Sequence, residues 1–310
     1  MKGDKKDFLD LASWSVSELK QILSLATVLK SEREPRQARL AGKSLAMIFE
    51  KASTRTRVSF EVGMYQLGGQ AVFLSRHDTQ LGRGEPIEDT AKVLSRYVDG
   101  IMIRTFAHED IVSLSHYATV PVINGLTDLL HPSQVLSDIF TIQEKFGDIR
   151  KLKVAYVGDG NNMANSWINA AMRFGFDLQL ACPDGYCPDA EILARARKEG
   201  CSDIMVVDDP LQAVQGAQVV NTDVWASMGQ EEEAVLRRRV FAPYQVNDQL
   251  LAVAAPEVMV LHCLPAHRGE EITASVFSRF QEFIFSQAEN RMHVQKALLA
   301  TLMGGKNETV

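Results

Sequence analysis

Excess positive charge, paired cysteines and long apolar runs are all missing from this 310-residue sequence. Lys and Arg number 33 against 39 Asp and Glu, for a net charge of −6 and a pI near 5.7. A general nucleic-acid or membrane surface draws on a basic patch, so this balance argues against either partner, and any anion site must be local. The four cysteines, Cys182, Cys187, Cys201 and Cys263, are irregularly spaced and form no CxxC pair. That spacing suggests neither a zinc module nor a disulfide framework and fits a reducing cytoplasm. No apolar run approaches the roughly 18 residues of a membrane span. The start, Met1-Lys2-Gly3-Asp4-Lys5-Lys6-Asp7, lacks the apolar centre of a signal peptide, so a soluble, cytoplasmic protein is expected.

What is present is an ordinary globular composition, 46% hydrophobic and 23% charged, in a chain long enough for two domains. Ser15-Val16-Ser17-Glu18 has the spelling of a capping box, and Leu19, Ile22, Leu23, Ala26 and Leu29 follow at helical spacing. Strand-like runs then alternate with helical ones: 45–49, 70–74, 100–104 and 120–124, followed by a long helix expected over 132–146 that stops at Gly147. A second series runs through 153–157, 178–181, 204–207, 219–222 and 258–262. Two doubly wound parallel-sheet α/β domains are predicted, 1–147 and 148–287, with an active-site cleft between them. A final helix at about 288–303, within a tail of 288–310, is expected to pack back on the first domain.

In such sheets ligands bind beyond the carboxyl ends of the strands, so the residues just after each strand are the candidates. Ser53-Thr54-Arg55-Thr56-Arg57 follows the first strand and opens a helix whose apolar face is Phe60, Met64 and Leu67. A helix N-terminus offers unpaired N–H groups and a positive dipole end; three hydroxyls and two guanidinium groups added there read as a cradle for phosphate or carboxylate. The plainer reading is a capped helix with an exposed pair between Arg57 and Glu61 four residues on, which makes Arg57 structural and Arg55 the better ligand. Arg104 ends the third strand. His131-Pro132-Ser133-Gln134 opens the long helix, with Pro at the first helical position; His131 and Gln134 can address a carbonyl oxygen and an amide, or simply neighbour the cap.

The second series supplies different chemistry. Gly158-Asp159-Gly160-Asn161-Asn162-Met163 starts like a dinucleotide fingerprint, but Met163 stands where the third glycine belongs and no acidic partner is suitably placed, so a nicotinamide-dependent oxidoreductase is a weak alternative. Asn161 and Asn162 can bind a substrate or cap the next helix. Asp223-Val224-Trp225-Ala226-Ser227-Met228-Gly229 joins an end-of-strand carboxylate to a candidate lid. His262-Cys263-Leu264-Pro265 ends the last strand; alternation is expected to send His262 and Cys263 to opposite faces, which speaks against zinc and leaves Cys263 either buried and inert or in contact with substrate.

Taken together, these segments resemble the aspartate/ornithine carbamoyltransferase family almost from end to end, and on the acceptor side its ornithine-using members. Ser-Thr-Arg-Thr-Arg and His-Pro-x-Gln are shared by the whole family and point to carbamoyl phosphate; Asp223 to Gly229 and His262 to Pro265 are similar to the ornithine-binding motifs. The resemblance implies that Ser53, Thr54, Arg55, Thr56, Arg104 and Gln80 bind the phosphate of carbamoyl phosphate, Gln80 in a neighbouring subunit's site of a homotrimer. It also implies that His131 and Arg104 hold the carbonyl oxygen, that Gln134 with the Cys263-Leu264 backbone holds the amino group, and that Arg291 completes the donor pocket. Asn162, Asp223, Ser227 and Met228 would bind L-ornithine, with Asn165 a less diagnostic neighbour. No metal or organic cofactor is implied. The acceptor amine resembles Lys, so roughly one molecule in two thousand is neutral at pH 7 and the site must favour that form; domain closure that desolvates it is the implied device. Other acceptors, such as aspartate, putrescine or an acylated ornithine, are the rival readings.

Overall fold

The computed structural model describes residues 5–31, 38–76, 79, 82, 84–200, 202–226 and 231–304. They form two compact units, Met1–Ser133 with Arg291–Val310, and Gln134–Asn290. The expected sites Gln80, Ser227 and Met228 lie outside the described residues, as does Cys201. Among the described residues no helix is long and apolar enough to cross a membrane.

The first unit runs α1 (Val16–Ser31), β1 (Ser44–Phe49), α2 (Thr54–Gln66), β2 (Gln70–Ser75), α3 (Ile87–Leu94), β3 (Gly100–Arg104), α4 (His108–Tyr117) and β4 (Val122–Leu126). The capping box at the head of α1 is formed: Glu18 Oε2 accepts from Ser15 N at 3.0 Å and Ser15 Oγ accepts from Glu18 N at 3.3 Å. All strand pairs are parallel and the order is β2-β1-β3-β4. The apolar runs of β1 and β3 are buried along nearly their whole length, as strands covered on both faces must be. β4 starts two residues later than the apolar pattern suggests because Pro121 has no N–H for the ladder, and the N–H of Val122 goes to Asp7 Oδ1 at 2.7 Å.

The second unit begins within α5 (Pro132–Phe146) and continues β5 (Lys153–Val157), α6 (Asn162–Phe174), β6 (Asp177–Ala181), α7 (Ala190–Glu199), β7 (Ile204–Val207), α8 (Pro210–Val214), β8 (Val219–Thr222), α9 (Ala234–Phe241), α10 (Asp248–Leu251) and β9 (Met259–His262). The order β7-β6-β5-β8-β9 is again parallel throughout. The last helix is much longer than the sequence pattern suggests: α11 spans Ala274–Met303 in one piece, 30 residues, headed by Thr273, whose Oγ1 accepts from Val276 N at 3.3 Å. Its aromatic, β-branched start, Ala274 to Phe285, masks the helical signal. Its last part belongs to the first unit, where the Lys296 ammonium, buried, donates to Leu29 O of α1 and Gln66 Oε1 of α2.

Each sheet has one point where the strand order reverses, between β1 and β3 in the first and between β5 and β8 in the second. Loops leaving neighbouring strands there go to opposite faces and open a crevice at the carboxyl ends. These two places carry the polar residues singled out in the sequence.

Candidate functional site

At the first switch point Ser53 is the N-cap of α2, its Oγ accepting from Thr56 N at 3.2 Å, and exposed Thr54 is the first helical residue. The loop is fixed from below: Glu50 N donates to Arg104 O at 2.9 Å, so the segment leaving β1 is tied to the end of β3. Arg55 is half-buried, and its Nε is shielded from solvent with no hydrogen-bond partner among the described residues. A guanidinium N–H left over in this way at a helix N-terminus is placed to bind an anion. Arg57 is otherwise engaged, paired with Glu61 at 3.4 Å and lying 3.6 Å over the Phe73 ring, as its i,i+4 spacing suggests.

Arg291, contributed by α11 and almost wholly buried, donates through Nη2 to Thr56 Oγ1 at 2.7 Å. His131 is delivered by a turn that Thr127 closes, its Oγ1 accepting from Leu130 N at 3.1 Å and lying 3.0 Å from His108 Nδ1. Burial, then the nearby charges of Arg291 and Arg104, hold the His131 imidazole well below the usual histidine range. It is therefore neutral at pH 7 and can donate a hydrogen bond without adding charge. The structure thus brings Thr56, Arg104, His131 and Arg291 together at one end of the first sheet. Lys51, buried against the Phe106 ring at 4.3 Å, pairs with Asp128 and links the loop before the anion cradle to the loop before His131; no local pattern singles it out.

Gln134 belongs to the second unit and is wholly buried in the first turn of α5, where its Nε2 donates to Asp138 Oδ1 at 3.0 Å.

At the second switch point Asp223, just beyond β8, gathers neutral donors. Its Oδ1 accepts from Cys263 Sγ at 2.8 Å and from Val224 N at 2.8 Å, and its Oδ2 from Asn161 Nδ2 at 3.1 Å. Asn161 caps α6 through Oδ1, which also accepts from the Tyr156 hydroxyl at 3.2 Å. Asn162 is the first residue of α6, and Asn165, one turn on, accepts through Oδ1 from Asp189 N at 2.9 Å.

In Gly158-Asp159-Gly160 the first glycine holds a φ of 137° and the second serves packing. A Cβ on Gly160 would lie 2.3 Å from the Cys187 carbonyl carbon and from Pro188 N, so the backbone of 186–188 fills the space a pyrophosphate would need. Asp159 is spoken for by Arg237 at 2.8 Å, both side chains being nearly buried. Burial pushes the Asp159 carboxyl up and Arg237 opposes that shift. Arg237 also donates to Trp225 O at 2.8 Å, which anchors the loop leaving Asp223, and lies 4.8 Å over the Tyr186 ring. This buried arginine went unnoticed in the sequence because Arg237-Arg238-Arg239 looks like a solvated run.

His262 and Cys263 do not diverge as strand alternation suggests, because β9 ends at His262 and Cys263 already belongs to the loop. One ligand atom each from Asp223, His262 and Cys263 lies within 4.8 Å of the others, and so does a second set from His267, Glu270 and Glu271. Both ring nitrogens of His262 are in use: Nδ1 accepts from Leu264 N at 2.9 Å and Nε2 lies 3.0 Å from Glu271 Oε1. The first bond fixes the tautomer, with the proton on Nε2, and metal binding by His262 would have to break one of the two. Leu264 holds φ of 60°, rare for a branched residue, and a positive φ of this kind concentrates where a loop is shaped for a ligand.

Chemically, the first end offers cations, hydroxyls and a neutral imidazole for an anion and a polarised carbonyl, and the second offers a carboxylate, a thiol and amides for an amine-bearing molecule. The comparisons agree with that division. Residues 6–144 match the family described as aspartate/ornithine carbamoyltransferase, carbamoyl-P binding domain, and residues 150–302 its Asp/Orn binding domain. The chain is similar to ornithine carbamoyltransferase of Syntrophus aciditrophicus, 58% identical over 96% of this chain and 100% of the relative, and to that of Geobacter sulfurreducens, 53% identical over 96% and 99%. Among solved structures it is similar to ornithine carbamoyltransferase from Pyrococcus furiosus, with TM-score 0.92 and 50% identity over 97% of this chain and 98% of that one. The enzyme from Thermus thermophilus follows at TM-score 0.87, 44% identity, 96% and 98% coverage.

Proposed function

The chain belongs to the aspartate/ornithine carbamoyltransferase family, and from that premise we propose that it transfers the carbamoyl group of carbamoyl phosphate to the δ-amine of L-ornithine, giving L-citrulline and phosphate. Ser53, Thr54, Arg55 and Thr56 bind the phosphate with Arg104, and His131 and Arg104 polarise the carbonyl oxygen. Gln134 and the Cys263-Leu264 backbone hold the amino group, and Arg291 completes the donor set. Asn162 and Asp223, with Ser227 and Met228, bind the acceptor. The δ-nitrogen attacks the carbamoyl carbon, the C–N bond forms and the C–O bond to phosphate breaks. The amine's proton passes to the departing phosphate, which leaves into the hydroxyl and guanidinium cradle. Negative charge growing on the carbonyl oxygen meets fixed cations and a neutral donor, the arrangement that stabilises such charge without reorganisation.

The observation that carries the choice of acceptor is the Asp223 carboxylate, held by Cys263, Val224 and Asn161 at the second switch point. An aspartate acceptor would call for cations where this carboxylate stands, whereas an amine is attracted and oriented by it. We further propose domains of 1–147 and 148–287 with the tail 288–310 packing on the first, a homotrimer in which Gln80 serves a neighbouring copy, a cytoplasmic location and a place in arginine biosynthesis or its reverse. The test is citrulline and phosphate release with ornithine, aspartate, putrescine and N-acetylornithine offered in turn. Ornithine is expected to be used and the others ignored; turnover with aspartate alone overturns the reading.

A further inference from the structure

We propose that Asp138 is a positioning residue: it turns the Gln134 carboxamide so that its carbonyl oxygen, and not its amino group, is presented to the donor, which makes the site select a carbamoyl group over an acyl group. The inference rests on the functional reading above and adds a residue and a selectivity to it.

Gln134 and Asp138 stand four residues apart on α5, one above the other on the same face, and both are wholly buried. Gln134 Nε2 donates to Asp138 Oδ1 at 3.0 Å. A carboxylate accepts only, so this contact chooses the amide orientation: the –NH2 end goes to Asp138 and the C=O end is left to face elsewhere. Asp138 is itself held, because Gln287 Nε2 of α11 donates to the same Oδ1. One turn further along, Asn290 Nδ2 donates to Thr141 Oγ1 at 2.9 Å and to Glu144 Oε2 at 2.7 Å, so α5 and α11 are joined by a buried polar seam.

At the free end of the amide, Gln134 Oε1 is shielded from solvent and has no hydrogen-bond partner among the described residues. A buried acceptor left unmade is costly, so it is satisfied when a donor arrives. The amino group of carbamoyl phosphate is such a donor. The methyl group of acetyl phosphate, of the same size and shape, is not, and it would leave Oε1 as it found it. If the amide were reversed, two –NH2 groups would face one another and the preference would vanish. A polar group that a ligand must satisfy discriminates far better than shape alone.

The experiment compares kcat/KM for carbamoyl phosphate with the inhibition constant of acetyl phosphate in the wild type and in Asp138→Asn, Asp138→Ser, Gln287→Met and Gln134→Met, each checked for folding by circular dichroism. A wild type that makes no citrulline removes the functional reading before any variant is compared. Given a working wild type, the two Asp138 variants are expected to lose about 10- to 100-fold in kcat/KM for carbamoyl phosphate while acetyl phosphate inhibition stays within about threefold. Gln287→Met melts lower yet keeps the wild-type ratio of the two constants, since it leaves the bond between Gln134 and Asp138 in place. Gln134→Met loses the ratio by itself, and retention of the ratio there overturns the proposal whatever the stability of the Asp138 variants. A folded Asp138 variant with the wild-type ratio, or a Gln287→Met enzyme that loses it, overturns the proposal as well.

Discussion

At the switch point of the first sheet, the guanidinium groups of Arg55, Arg104 and Arg291 accompany the His131 imidazole, which burial and then the charges of Arg291 and Arg104 keep neutral. At the switch point of the second, one carboxylate, Asp223, is wrapped by a thiol, an amide and a backbone N–H. The same topological position is therefore filled with opposite chemistry. The first end works by fixed charge, which suits a dianionic donor and an oxygen that becomes negative as the reaction proceeds. The second works by hydrogen bonds from neutral groups, which hold the carboxylate in position while leaving its charge to attract the substrate's amine. Two sheets of one architecture take different substrates through their loops, and function sits in those loops.

The sharpest way to break this contrast is at Arg55. Arg55→Ala is expected to lower kcat/KM for carbamoyl phosphate by about a thousandfold, as loss of a transition-state charge partner does, with the ornithine KM little changed; a variant that keeps wild-type kinetics removes Arg55 from the site. Next comes the anchor of the acceptor loop. Arg237→Met leaves Asp159 buried without its counter-charge, and urea unfolding should register about 3 kcal/mol of lost stability, accompanied by a raised ornithine KM because Trp225 O loses its donor. Asp223→Asn removes the acceptor-side carboxylate and should cost about a hundredfold in kcat/KM for ornithine while carbamoyl phosphate binding, followed by calorimetry, is kept.

A smaller effect separates the neutral imidazole from the cations around it. Because folding lowers the proton affinity of His131, the unfolded chain takes up a proton below its ordinary pKa of about 6.5 that the folded chain refuses. Stability is thus full above that pH and falls as pH drops beneath it. Melting curves from pH 8 to pH 5 should decline less steeply for His131→Gln than for the wild type; half-buried His108, also lowered by its burial, preserves part of the decline in both. The smallest change belongs to Arg57→Ala. Its exposed pair with Glu61 is worth about 0.3–0.5 kcal/mol, so turnover should match the wild type, and a large kinetic loss would place Arg57 among the donor ligands.

Much of this was legible before any coordinates. The strands at 100–104, 153–157, 204–207 and 219–222 and the helix at 132–146 stand where apolar runs and the Pro and Gly signals put them. The anion cradle was legible because it is contiguous: capping, hydroxyls and guanidinium groups fall within five residues. What escaped depends on distant partners. Lys51 and Arg237 look like surface cations until burial and a carboxylate 77 or 78 residues away are seen. Asp138 carries no local signal either, since a carboxylate on a helix is ordinary until its neighbours are known to exclude water. Strand alternation misplaces Cys263 because the strand ends at His262, as its apolar run suggests, and the period of two does not carry into the loop residue that follows.

The long closing helix has a consequence for how the protein is made. Arg291 and Lys296, which satisfy Thr56 of α2, Gln66 and the carbonyl of Leu29, are added by the ribosome after Asn161, Asp223 and Cys263. A nascent chain therefore completes its acceptor end first, and its donor end waits for the final helix. A messenger cut short inside α11 would encode an intact second sheet and leave the cradle for carbamoyl phosphate without one of its arginines.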